Sequence, residues 1–258
     1  MTTWAIGDIH GCYKELMCLY LKLIDAGMVP EYDTVVFMGD YIDRGPSSNL
    51  VVKQLMKWQK SYPHWVFLYG NHEDLMLDTL VYGGRTYNSF DLWWKQGGKE
   101  TAISYYPNKK FDPDNISASH IKTEHLSWLS GLPLYYEDED YFYVHGGALP
   151  GVSLDEQKHF ANNGSWKEKE TIKKAWIWAR EDFIDDTYDW GKKIIFGHSV
   201  AYEPRWGEFG QPIVMKNKIG IDGAVCPPSN KNLIAVKLPE EVFYFEESWR
   251  HYENYLPR

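Results

Sequence analysis

Cysteine, excess basic charge and long apolar runs are all scarce in this sequence of 258 residues. The three cysteines, Cys12, Cys18 and Cys226, are odd in number and lack zinc-ribbon spacing, which favours reduced thiols in a cytoplasmic protein. Acidic residues outnumber basic ones by 36 to 27, and the formal charge of −9 argues against a general nucleic-acid binder. No apolar run reaches the length of a membrane span, and no basic, hydrophobic leader is recognisable. We therefore expect a cytoplasmic protein that binds neither nucleic acid nor membranes.

The chain has the composition of a folded α/β protein. Hydrophobic residues make up 44% and charged residues 24% of it, and this length is ordinary for one domain. The first third predicts strands and helices in alternation: "TWAIGDI", "YKELMCLYLKLIDAG", "DTVVFMGD", "SSNLVVKQLMKWQKSY", "HWVFLYGN" and "HEDLMLDTL". Gly27 is expected to close the first helix and a serine to cap the second. This βαβαβ order predicts a parallel sheet.

The whole chain, 1–258, is predicted to be one domain with an insertion. Residues from about 82 to 132 are less regular, and we interpret them as a helical, cap-like insertion over one mouth of the sheet. The last third returns to strands, among them "LYYEDEDYFYVHGG", "KKIIFGHS" and "PIVMKNKIGIDGA", with a helix in "KEKETIKKAWIWARED".

Polar residues follow five of the strand-like runs at their carboxyl ends. Ligands of open α/β sheets bind at these ends, so the side chains are expected to converge. Each residue alone has an ordinary explanation as a cap or turn, but five coincidences are hard to dismiss. The oxygen and nitrogen donors suit two divalent ions that share a carboxylate, without the thiolates of a structural zinc site. The predicted set is Asp8, His10, Asp40, Asn71, His145 and His198.

Five short blocks carry a resemblance to a known family. "GDIHG", "GDYIDRG", "GNHE", "HGG" and "GHS" span Gly7 to Ser199 and closely resemble the signature blocks of the calcineurin-like metallophosphoesterases, specifically the bacterial and phage branch of phosphoprotein phosphatases. The resemblance implies a four-layer sandwich in which two central mixed β-sheets are flanked by helices. It also implies a phosphomonoesterase of serine/threonine type that works by direct attack of a metal-bridging hydroxide on the phosphate ester.

The resemblance also implies roles for individual residues. One metal would be held by Asp8, His10 and Asp40, and the second by Asp40, Asn71, His145 and His198. His72 would be the general acid, oriented by Asp43, and the phosphate would be bound by Arg44 and Arg180, with Asn71 as a further contact. Two Mn²⁺ ions are the expected cofactors, with Fe, Zn, Ni or Co as alternatives, and the expected substrate is a phosphorylated protein or a small phosphoester.

Several alternatives stay open at this point. A symmetrical dinucleoside tetraphosphate hydrolase also carries "GDIHG", although Asp43 in "YIDRG" and Glu73 in "GNHE" favour the phosphatase. A non-catalytic module would be expected to have lost ligands, and none is missing. Glu73 and Asp74 are interpreted as acidic residues of a helix start. Trp93 and Trp94 are interpreted as core residues or substrate contacts. The family's Asp-Thr-Gly-Ala is replaced by Asp222-Gly223-Ala224, which leaves the role of Asp222 undecided.

Overall fold

Two five-stranded β-sheets form the centre of the structure, a computed structural model that describes residues 2–84, 89–106 and 115–248. The strands of the first sheet are Thr3–Ile6 (β1), Thr34–Phe37 (β2), Val66–Phe67 (β3), Asn232–Leu238 (β9) and Val242–Glu247 (β10), in the order β10-β9-β1-β2-β3. Those of the second are Tyr135–Glu137 (β4), Tyr141–Val144 (β5), Lys193–Phe196 (β6), Ile213–Met215 (β7) and Lys218–Gly220 (β8), in the order β4-β5-β6-β8-β7.

The helices flank the two sheets. They are Tyr13–Asp25 (α1), Ser48–Ser61 (α2), Asn71–Leu80 (α3), Ser89–Trp93 (α4), Lys99–Tyr105 (α5), Thr123–Ser130 (α6), Leu154–Asn163 (α7), Trp166–Trp178 (α8) and Glu181–Ile184 (α9). A π-helical segment, Trp94–Gly98, joins α4 to α5, and Ala118–His120 forms a 3₁₀ turn. In the described part of the chain, no helix is both long and apolar enough to cross a membrane.

Both sheets are mixed, as the family resemblance implies. β1 pairs in parallel with β2, and β2 with β3, which confirms the βαβαβ interpretation of the first third. β9 then pairs antiparallel with β1, and β10 with β9. In the second sheet β6 is parallel to both β5 and β8, while β4 and β7 run antiparallel at the edges.

An apolar layer between the two sheets holds them face to face. Its buried members include Val36 in the first sheet, Leu68 beside it, and Tyr143, Ile195 and Ile219 in the second sheet. Two further apolar clusters lie on the outer faces, one under α1 and α2 and one under α7, α8 and α9. Two stacked sheets with helices on both outer faces make four layers, so this packing confirms the predicted sandwich.

Two local predictions need correction. The serine before α2, Ser47, makes no capping hydrogen bond with its side chain. The neighbouring Ser48 hydroxyl instead accepts the backbone N–H of Asp43, so the start of α2 is fixed by a tertiary contact. The runs "LYYEDEDYFYVHGG" and "PIVMKNKIGIDGA" are not single strands but the hairpins β4–β5 and β7–β8, because polar residues turn the chain between the two halves of each.

The predicted insertion at 82–132 is only partly within the described residues, since 85–88 and 107–114 lie outside them. Its described part contains α4, the π-helical segment, α5 and α6. Helix α4 packs against α3, and α5 against α2. The insertion's role as a cap stays a prediction.

Candidate active site

The predicted ligands lie in the loops that follow five strands. Asp8 and His10 come after β1, Asp40 after β2, Asn71 after β3 at the start of α3, His145 after β5, and His198 after β6. The sheets bring the carboxyl ends of these strands together, and all six side chains are buried, each at most 4% exposed. The sequence-predicted set is therefore collected in one place.

Strained backbone marks the same loops. Five non-glycine residues of the site have positive φ angles: His10 (45°), Asp40 (53°), Asp43 (70°), Arg44 (66°) and His198 (60°). Such angles cost roughly 1–3 kcal/mol each and persist where surrounding structure imposes them, commonly at active sites. Gly39 has a φ of 104°, and a Cβ there would lie 2.9 Å from both Gly70 N and His145 Nδ1, so only glycine fits.

Asp40 is the centre of two groups of candidate metal ligands. The ligand atoms of Asp40, His10 and His72 lie within 4.8 Å of one another, and so do those of Asp40, His145 and His198. Oδ2 of Asp40 lies 3.5 Å from His10 Nε2, whereas Oδ1 lies 3.2 Å from His145 Nε2. One carboxylate thus presents a different oxygen to each group, an arrangement in which a carboxylate can bridge two ions.

Asp8 lies slightly apart from this arrangement. Both of its carboxylate oxygens accept the backbone N–H of His198, at 3.1 and 3.0 Å. Burial, reinforced by the negative charges of Asp222 and Asp40, raises the pKa of Asp8 well above its usual value. The candidate ligand group around His10 and Asp40 contains His72, whereas the sequence predicts Asp8 as its third member. Ligation by Asp8 therefore stays a prediction.

The hydrogen bonds of the histidines suit metal binding. Nδ1 of His10 donates to Ile42 O and Nδ1 of His145 donates to Met38 O, both at 2.8 Å, which leaves each Nε2 with a lone pair aimed into the site. Among the described residues, Nε2 of His198 is buried without a hydrogen-bond partner. Burial first, and then the nearby Arg44, lowers the pKa of His10 well below its usual range, so the neutral, metal-binding imidazole predominates.

The second group contains a convergence of acceptors. His145 Nε2 lies 2.9 Å from Asn71 Oδ1 and 3.2 Å from Asp40 Oδ1. A cation shared by the three atoms satisfies this arrangement, as does a proton on His145. Burial alone would lower the pKa of His145, but Asp40 raises it; burial would raise the pKa of Asp40, but His145 and His72 hold it well below its usual range. The imidazole, amide and carboxylate atoms present here are ligand types that suit a divalent cation.

His72 and Asp43 form a buried pair beside the metal ligands. Nδ1 of His72 lies 2.8 Å from Oδ2 of Asp43, and both residues are at most 1% exposed. Nη2 of Arg44 lies 3.0 Å from Nε2 of His72. A guanidinium can only donate, so Nδ1 carries the proton shared with Asp43 and Nε2 faces the interior of the site. Nε2 therefore accepts from Arg44 in this structure, and it can deliver a proton to a bound substrate only once Nε2 is protonated and Arg44 has turned from it to the phosphate.

The two predicted phosphate-binding arginines line one pocket of about 240 Å³. Arg44 and Arg180 share its wall with His10, His198 and Asp222. Nη1 of Arg180 donates to His198 O at 3.0 Å, which anchors the side chain beside a metal ligand. Asp222 lies in the same pocket, and burial raises its pKa. An anion that enters this pocket meets two guanidinium groups next to the candidate metal ligands.

Glu73 has a role that the sequence does not reveal. It lies in the first turn of α3, as the sequence predicts, but it is also fully buried, and its carboxylate accepts three backbone N–H groups. These belong to Gly70, Asp40 and Tyr41, at 3.1, 3.0 and 2.9 Å. Burial, with the nearby Asp40, raises its pKa to about 8, while the Tyr41 N–H favours the ionised form. Glu73 thereby ties the loop of Asp40 to the start of α3. Only the three-residue spacing from the cap residue Gly70 could have indicated this.

Residues 1–226 match the family model for calcineurin-like phosphoesterases. The chain belongs to this family. It is thus a hydrolase of the metallophosphoesterase type, and the family's dependence on two metal ions agrees with the two ligand groups around Asp40.

Relatives within this family carry two kinds of name. The chain is 25% identical to "Serine/threonine-protein phosphatase 2" of Salmonella typhimurium, over 74% of this chain and 63% of the relative. It is 30% identical to an asymmetrical bis(5'-nucleosyl)-tetraphosphatase of Oceanobacillus iheyensis, over 92% of this chain and 89% of the relative. A protein serine/threonine phosphatase from Saccharomyces cerevisiae has the same fold, with a TM-score of 0.59 at 17% identity, covering 96% of this chain and 79% of that one.

Proposed function

We propose that the protein is a phosphomonoesterase with two divalent metals that hydrolyses alkyl phosphate esters, of the serine/threonine protein phosphatase type. The observation that carries this proposal is the 2.8 Å contact between His72 Nδ1 and Asp43 Oδ2. An alkoxide is a poor leaving group and needs a proton as it departs, which a positioned imidazole supplies. A nucleotide leaving group ends in a phosphate whose pKa of roughly 6 lets it depart without such help.

The protein's own side chains would divide the work as follows. Arg44 and Arg180 hold the phosphoryl oxygens, where negative charge resides in the transition state. His72 donates the proton from Nε2 to the leaving oxygen, and Asp43 stabilises the imidazolium through Nδ1–H. Burial of His72 and Asp43 keeps bulk water from screening the charges of this pair.

Asp8, His10, Asp40, Asn71, His145 and His198 would hold the two metals. When bound, two divalent cations supply an activated water and positive charge beside the phosphoryl group. We propose Mn²⁺ for both positions, because carboxylate, amide and imidazole donors without thiolates suit this ion.

A dinucleoside tetraphosphate hydrolase is the second candidate. Several relatives carry that name, in symmetrical and asymmetrical forms. In its favour, a groove of about 600 Å³ is lined by Trp166, Trp178 and three lysines, Lys167, Lys173 and Lys174. The ring of Trp178 also lies 5.8 Å from that of His198, so the groove adjoins the site. Indole rings stack nucleobases and lysines attract phosphates.

A substrate panel tests the proposal. The Mn²⁺-loaded protein would be assayed with a phosphoserine peptide, a phosphotyrosine peptide, an aryl phosphate and a dinucleoside tetraphosphate. Asp40→Asn serves as the control for contaminating phosphatases. The proposal expects the highest kcat/KM on phosphomonoesters, including the phosphoserine peptide. A kcat/KM that is highest on the dinucleotide would favour the second candidate instead.

A further inference from the structure

The carboxylate of Asp43 is held by two residues from the segment that follows α3. The indole N–H of Trp93 lies 3.1 Å from both oxygens of Asp43, and the hydroxyl of Thr101 donates to Oδ1 at 2.7 Å. Trp93 and Thr101 are both 0% exposed, although they lie 50 and 58 residues from Asp43 in the sequence. A buried carboxylate needs several hydrogen-bond donors. His72 supplies one to Asp43, and Trp93 and Thr101 supply further ones.

The backbone around Trp93 is built for this contact. Gly97 interrupts the helical path with a φ of 103°, and its carbonyl accepts the backbone N–H of Arg44 at 3.1 Å. A Cβ on Gly97 would lie 2.5 Å from Arg44 N, and one on Gly98 would lie 2.5 Å from the Trp93 ring. Such π-helical interruptions occur frequently at functional sites. One short segment therefore fixes two consecutive residues, Asp43 and Arg44.

We propose that Trp93 and Thr101 are positioning residues for proton delivery by His72: they lock the plane of the Asp43 carboxylate so that Oδ2 meets Nδ1–H. This inference rests on the proposed function, because it requires His72 to act as the general acid. Trp93 is a buried core residue, as one of the two interpretations has it, and the inference adds a positioning role for its indole N–H.

The physical reason lies in the geometry of the carboxylate. With Trp93 bridging both oxygens and Thr101 on Oδ1, rotation about the Cβ–Cγ bond would break hydrogen bonds of residues that are 0% exposed to bulk water. The imidazole is then held in one orientation, with Nε2 towards the substrate. Loss of one donor frees the carboxylate to turn, and the imidazole turns with it.

Trp93→Phe tests this inference, because it removes the N–H and keeps an aromatic ring. On the phosphoserine peptide we expect kcat to fall roughly 10- to 100-fold, the scale of lost outer-shell partners, with KM little changed. On an aryl phosphate, whose phenolate departs without a proton, we expect kcat to stay within about 3-fold. Trp65→Phe is the matched control: its buried indole donates to Pro30 O at 3.2 Å, far from the catalytic groups. It should leave both rates unchanged.

A second pair of variants keeps the test informative if Trp93→Phe does not fold. Thr101→Ser retains the hydroxyl and should retain the alkyl rate, whereas Thr101→Val should show the same selective loss as Trp93→Phe. Equal losses on both substrates, or no loss, would overturn the inference while leaving the proposed function intact. An unmodified protein inactive on both monoesters would contradict the proposed function itself, and the inference with it.

Discussion

The carboxylate of Glu73 accepts the backbone N–H of Asp40 at 3.0 Å, so a residue of α3 fixes the position of the residue shared by both candidate metal groups. The same carboxylate accepts the N–H of Tyr41. Asp40 has a φ of 53°, a conformation that a non-glycine residue keeps only where its neighbours impose it. Glu73 is therefore part of what shapes the metal centre, although it is not a ligand in the proposed set.

Glu73→Gln is expected to weaken metal binding. The new amide places an NH₂ group against backbone N–H donors, so at least one of the three bonds is lost. Apparent Mn²⁺ affinity should fall roughly 10- to 100-fold, as for other outer-shell partners, and calorimetric titration measures it. Asp74→Asn is the matched control, since the Asp74 carboxylate faces Lys173 and Tyr69 instead of the Asp40 loop. Equal affinities for Glu73→Gln and the unmodified protein would refute this role.

Crystals grown with Mn²⁺ should show two anomalous peaks, one on each side of the Asp40 carboxylate. The expectation follows from the two oxygens of Asp40, which lie 3.5 Å from His10 Nε2 and 3.2 Å from His145 Nε2. Bridged pairs of this kind are roughly 3.5–4 Å apart. The same crystals would decide whether Asp8 or His72 completes the group around His10. A single peak, or ligands drawn mainly from other residues, would contradict the proposed centre.

Arg44→Ala and Arg180→Ala should impair hydrolysis of alkyl and aryl phosphates alike. Both side chains line the pocket beside His10 and His198, and they would hold the phosphoryl group, not the leaving group. Removal of one such donor typically costs roughly 10²- to 10³-fold in kcat. Arg205→Ala is the control, because Arg205 pairs with Asp185 on the exposed surface. If either site variant lost activity only on alkyl esters, that arginine would act on the leaving group and not on the phosphoryl group.

The sequence predicts the parts of this molecule that are local in the chain. Asp8, His10, Asp40 and His198 follow apolar strands directly, and parallel pairing then brings them together, so the pattern of each strand end carries the information. The contacts of Trp93, Thr101 and Glu73 are different. Trp93 and Thr101 reach Asp43 across 50 and 58 residues, and Glu73 reaches Asp40 across 33. No periodicity encodes such distances. The Ser47 cap was wrong for the same reason, because a tertiary contact of Ser48 fixes the start of α2.

Replacement of His72 by asparagine tests the account most directly, because it separates proton delivery from metal binding. kcat on the phosphoserine peptide should fall roughly 10²- to 10⁴-fold, the usual scale for general acid catalysis, with a much smaller loss on an aryl phosphate. Metal content, measured by elemental analysis, should be unchanged, since His72 is not a ligand in the proposed scheme. A His72→Asn protein that is equally impaired on both esters, or that has lost a metal ion, would contradict the account.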